Sequence, residues 1–167
     1  MKWLARLLGY VPAQESEGLS LPPGPHWDVD APKEFSRFFR ALVGLLPVGA
    51  VLYLEGGYPT DDISAFLEAR RPTSTTKVRI GTIWPRPQML HMYATPENLA
   101  GLAQLAEANA PTEIAVHIHA YKGNTMFVMW HDAPSDPICV SSDVSEERVQ
   151  QFAAALGTSY RSCDKEV

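Results

Sequence analysis

The sequence predicts an α+β domain: a mainly antiparallel sheet of about six strands, with three to four helices packed mostly on one face and a Pro-rich N-terminal arm. Three observations predict it. Residues 114–130 read as an alternating strand, a tight Gly-Asn turn and an apolar return strand, which is a hairpin. Several segments carry apolar residues at three- and four-residue spacing behind a cap or a proline, which is the pattern of amphipathic helices. The candidate strands are linked mostly as hairpins, which favours antiparallel pairing.

The elements follow in order. Trp3, Leu4, Leu7 and Leu8 share one helical face at the N-terminus, long enough for a turn or two. Residues 11–31 are rich in Pro, Gly, Ser and Glu without a period, so residues 1–31 read as an amphipathic turn followed by an extended arm. A helix is expected from Pro32 to Leu46, with Phe35, Phe38, Phe39, Leu42, Val43 and Leu46 inward and Pro47 ending it. Residues 50–55 are almost continuously apolar, as in a buried strand.

Thr60 caps a short helix with Asp61 and Asp62 in its first turn. Val78, Ile80, Thr82 and Trp84 alternate with polar residues and predict a half-buried strand, paired through Pro85-Arg86-Pro87 with a strand at residues 89–93. Such a hairpin points His91 to the side of Thr82. Thr95-Pro96-Glu97 opens the clearest helix, which Asn109 and Pro111 stop. After the central hairpin, residues 138–140 form a short strand. Ser145 opens a last helix ended by Gly157. Residues 32–157 therefore form the domain, and residues 158–167 a polar C-terminal tail.

Composition narrows the function. A net charge of −5 repels nucleic-acid phosphate, and the basic spots around Arg70, Arg71, Lys77 and Arg79 lack interleaved aromatics. Nucleic acid is not an expected partner. The two cysteines, Cys139 and Cys163, form no Cys-x-x-Cys pattern and predict no disulfide framework, which fits a reducing, cytoplasmic setting. No apolar run is long enough to span a bilayer.

Three constellations could carry chemistry. His117 and His119, two apart on one strand, share a face, and His131 on the return strand is the third candidate for a divalent transition metal. A two-residue turn at Gly123-Asn124 sets His131 opposite Val116, away from the other two; a three-residue turn sets it opposite Ala115, on their side. Gly-Asn favours the former, so the expected cofactor is none. Glu55, Asp61 and Asp62 form an acidic cluster around Gly56-Gly57, from which an acid and a base could be drawn with His91 or His119. Tyr58, Trp84, Tyr121 and Trp130 fall at turns or strand ends and are candidates for anchoring a protein partner.

Nucleophiles are absent in recognisable form: no Gly-x-Ser-x-Gly elbow exists, and Cys139 sits between Ile138 and Val140 as a buried thiol would. The leading expectation is a small cytoplasmic domain that binds another macromolecule, of a regulatory or bacterial immunity type by analogy of size and charge alone. The alternative is a small enzyme, a metal-assisted hydrolase or a proton-transfer catalyst, built on the His117/His119 strand. A membrane-surface role for the first turns is third.

Overall fold

The computed structural model describes residues 17–82 and 85–163. The N-terminal amphipathic turn and Trp84 lie outside the described residues. Local signals place the helices where the apolar spacing predicts. They are α1 (Phe35–Leu45), α2 (Asp61–Glu68), α3 (Pro96–Ala108), a single turn α4 (Pro111–Ile114) and α5 (Glu146–Leu156). The Thr60 and Thr95 side chains accept from the backbone N–H groups of Ile63 and Asn98, as N-caps do. Gly157 ends α5 at φ +72°, a left-handed conformation that costs a glycine little. Helix α1 starts later than expected, after Pro32. Asp30 is held by Ser159 through its amide and its carboxylate, so it cannot serve as a cap.

The strands are β1 (His26–Val29), β2 (Val51–Glu55), β3 (Met89–Tyr93), β4 (His117–Lys122), β5 (Thr125–Trp130), β6 (Ile138–Ser141) and β7 (Tyr160–Cys163). They form one sheet in the order β3-β2-β4-β5-β6-β1-β7, with every neighbouring pair antiparallel. The α+β architecture is thus as the sequence predicts, with one strand and one helix more. Two segments outside the expected domain belong to the sheet. Residues 26–29, expected in the arm, become β1, and residues 160–163, expected in the polar tail, become the edge strand β7. An edge strand buries little, so its polar composition hides it from pattern reading.

The two faces of the sheet differ. Leu52, Leu54, Ile118, Ala120, Val128, Trp130, Ile138 and Val140 turn to one side and merge with α1, α2, α3 and α5 in a continuous core. The opposite face carries Tyr53, Glu55, His117, His119 and Tyr121, and coil rather than helix covers it. Residues 18–21 of the arm run across it beside residues 77–79: Leu19 bridges Val78 in parallel and exchanges hydrogen bonds with Lys77 and Arg79.

Residues 78–82 therefore do not make the expected hairpin with β3. Only Val78 bridges, and β3 pairs with β2. The reason is local. The Glu55 side chain takes the backbone N–H groups of Gly81 and Thr82, donors that a ladder would need. No helix among the described residues is long and apolar enough to cross a membrane.

Candidate functional site

One ladder row crosses the sheet in register: His91, Tyr53, His119, Met129, Cys139, Asp28 and Arg161. The neighbouring row pairs Glu55 with His117. Because residues opposite one another share a face, these two rows gather the polar side chains of five strands on the coil-covered side.

The turn of the β4–β5 hairpin is the two-residue form, since Lys122 pairs with Thr125. That turn alone would send His131 to the helix side. A β-bulge between Ala120 and Tyr121 leaves Phe127 without a partner, so Val128 pairs with Ala120 and Trp130 with Ile118. The register beyond the bulge is shifted by one, and His131 joins the histidine face. Ring centroids lie 5.1 Å apart for His117–His131 and 5.0 Å for His119–His131.

A cavity of about 740 Å³ opens over these rings, lined among others by Arg79, Gly81, Thr82, His117, His119 and His131. Its wall at residues 81–82 is fixed from below. Gly81 N–H donates to both Glu55 oxygens at 3.0 and 3.1 Å, Thr82 N–H donates at 2.7 Å, and the Tyr53 hydroxyl donates at 2.7 Å. Burial, together with the charge of Glu55, raises the Tyr53 phenol above its usual range, so it stays a donor. Gly81 has to be glycine: a Cβ there would fall 2.8 Å from His117 Cδ2, 3.0 Å from its Nε2 and 3.1 Å from His131 Nδ1.

The three histidines are not equivalent. Asp132 N–H donates to His117 Nδ1 at 3.0 Å, so the neutral ring carries its proton on Nε2. His131 is held below its ordinary pKa by burial and by the nearby His117, against the pull of Glu55, Asp132 and Asp136. His119 is 1% exposed, and neither of its ring nitrogens has a hydrogen-bond partner. Burial first, then His131 and His117, push its pKa down to about 3. An unpartnered buried imidazole costs stability and usually marks a site that takes a ligand or water. On the far side of Tyr53, His91 Nδ1 shares a 3.0 Å hydrogen bond with the Tyr121 hydroxyl.

This arrangement counts against a metal held by His117, His119 and His131. A ligating histidine gives a lone pair to the ion and its N–H to a second shell. His117 does the reverse, accepting at Nδ1 and leaving Nε2–H for the cavity. The ligand atoms of the three rings also do not all come within 4.8 Å of one another.

The other expected groups are redistributed. Glu55 is buried beneath Gly81, whereas Asp61 and Asp62 are exposed at the start of α2, where they complement the helix dipole. The three do not form one cluster. Among the expected aromatic anchors, Trp130 and Tyr121 are interior, at 0% and 2% exposure. Trp130 packs against Phe38 with the rings tilted, and donates Nε1–H to Asp136 O at 2.7 Å. The Tyr121 hydroxyl accepts from Thr76 N–H at 3.2 Å. Neither offers a surface; the half-apolar, half-polar character that suits these residues to interfaces also suits them to a core with a hydrogen-bond acceptor nearby. Tyr58 is exposed, at 82%.

Gly81, Thr82 and Arg79 are site residues that sequence reading missed. The signal was present in Gly81, a glycine in the middle of an alternating stretch, which marks close backbone approach. Comparison with protein-family models, with curated proteins and with solved structures gave no match.

Proposed function

We propose that this protein is a small enzyme that moves a proton within a small polar molecule bound in the histidine-lined cavity. The observation that carries this reading is His119, buried beneath the cavity with both nitrogens unpartnered and with two other imidazoles around it. A substrate with a carbonyl or carboxylate oxygen beside an exchangeable C–H fits the donors and acceptors present. His117 Nε2–H supports the oxygen as charge develops on it, and neutral His131 accepts the proton from carbon and returns it elsewhere on the same molecule. Exposed Arg79 on the cavity lining favours an anionic substrate.

The test uses a library of small carbonyl compounds and carboxylates. Compounds that raise the melting temperature are then incubated in deuterated water, and deuterium uptake at carbon is followed by NMR. Uptake with the wild type that drops at least about a hundredfold in His131→Ala supports the reading. Compounds that exchange as fast with His131→Ala as with the wild type, or that bind but never exchange, would sink it.

A second reading, binding of another macromolecule, draws support from the exposure of Tyr58 and of Val48, the latter 93% accessible. Capture of a partner from lysate that is lost in Tyr58→Ala or Val48→Asp, and kept in His131→Ala, would favour it over the enzyme.

A further inference from the structure

The same ladder row that holds His119 ends, three strands away, in a second cluster. His26 and Asp28 lie on one face of β1. Asp28 pairs with Cys139 on β6, and His26 pairs with Cys163 on β7, so all four side chains share that face. His26 Nε2 is 3.4 Å from Asp28 Oδ1, Cys163 Sγ is 3.1 Å from Asp28 Oδ2, and Cys139 Sγ is 3.7 Å from Asp28 Oδ1. The ligand atoms of His26, Asp28 and Cys163 all lie within 4.8 Å of one another. We infer that His26, Asp28 and Cys163 form a binding site for a thiophilic divalent cation of the zinc type, with the fourth position left to water.

The chemistry and the spacing agree. Nitrogen, carboxylate oxygen and sulfur are the donors zinc takes, and bonds of about 2.0–2.3 Å in a tetrahedron put ligand atoms roughly 3.3–3.8 Å apart. The measured separations fall at or near that range. The His26 ring already turns a lone pair toward the cluster. Its Nδ1 lies 3.0 Å from Gly24 O, which accepts the ring N–H and leaves Nε2 free to ligate. A ligating histidine is oriented in this way, and the arrangement is the reverse of the one at His117. The Arg161 guanidinium, 2.9 Å from Asp28 Oδ2, sits on an exposed arm that can leave when a cation takes over the charge.

Two other uses of the cysteines fit less well. A disulfide is ruled out by the sheet, because β6 and β7 flank β1 and stand about 9.6 Å apart, beyond the reach of about 7 Å between Cα atoms. A nucleophilic thiol would need the imidazole between itself and the carboxylate. Here the carboxylate lies between them and stabilises the protonated thiol.

Titration of the metal-free full-length chain with Co²⁺, and competition by Zn²⁺, tests the site. The expected result is one Co²⁺ per chain with thiolate-to-cobalt charge-transfer bands and a zinc-dependent rise in melting temperature. Cys163→Ser should remove the thiolate bands, and Cys163→Ser and His26→Ala should each weaken binding by at least about tenfold; circular dichroism checks that each variant is folded. His119→Ala should bind like the wild type. The site is overturned by uptake below one equivalent, by a spectrum without thiolate bands, by unchanged binding in folded Cys163→Ser, or by binding lost in His119→Ala instead.

Discussion

The His117 and His131 rings meet edge to face, 5.1 Å between centroids, because Phe127 has no partner on β4. Without that extra residue, Val128 would oppose His119 and Trp130 would oppose His117, which puts both large apolar side chains on the polar face. The bulge forfeits about one ladder hydrogen bond, worth about 1 kcal/mol net. It returns Trp130 and Val128 to the helix-side core, where each buried side chain contributes about 1.5–3 kcal/mol or more. Core packing thus decides the register, and assembly of the three histidines follows from it.

Gly81→Ala tests the close approach of the coil to the rings. The added methyl meets His117, which Asp132 N–H holds in place, and His131 at 3.1 Å. The expected loss is about 1–3 kcal/mol in urea denaturation, together with loss of any ligand-induced stabilisation. A variant as stable as the wild type, with ligand response intact, would show that this contact is not tight.

Glu55 holds the cavity wall through two backbone amides. In Glu55→Gln the side chain keeps its size but points an NH₂ group at one of the N–H donors. Amide exchange at Gly81 and Thr82 should speed up by at least about tenfold relative to β4 amides, equivalent to about 1.4 kcal/mol of local opening. Equal protection in both proteins would remove Glu55 from this role.

Acid should destabilise the fold through its buried imidazoles. The unfolded rings take up a proton near pH 6.5. In the fold His91 resists until about pH 4, through burial and the charge of Arg71, and His119 until about pH 3. Between these values the unfolded chain binds more protons, so stability is full above pH 6.5 and is lost progressively below it, levelling off near pH 3. Denaturant midpoints at pH 7 and pH 5 should differ less in His119→Asn than in the wild type. An identical drop in both would show that His119 does not contribute.

Trp130 anchors the helix-side core between α1 and the sheet. Trp130→Ala removes the ring contact with Phe38 and the donor to Asp136 O, and should cost about 3–5 kcal/mol in urea denaturation. A cost under about 1 kcal/mol would contradict its burial.

By itself the sequence determined the parts of the fold that rest on local chemistry. Thr60 and Thr95 cap helices because their hydroxyls reach a free N–H, and the stripes of α1, α3 and α5 bury because their spacing matches the helical turn. His117 and His119 share a face because a strand alternates, and Gly123-Asn124 makes the two-residue turn. Tertiary structure decided the rest. Strand partners are set by contacts far apart in the chain, so residues 78–82 gave up a predicted hairpin to the Glu55 carboxylate, and β1 and β7 entered the sheet from segments with no apolar pattern. The Phe127 bulge balances core burial against ladder hydrogen bonds over the whole hairpin. The His26, Asp28, Cys139 and Cys163 cluster joins β1 to two strands that lie more than a hundred residues later in the chain, and only their side-by-side pairing brings its nitrogen, oxygen and sulfur atoms together.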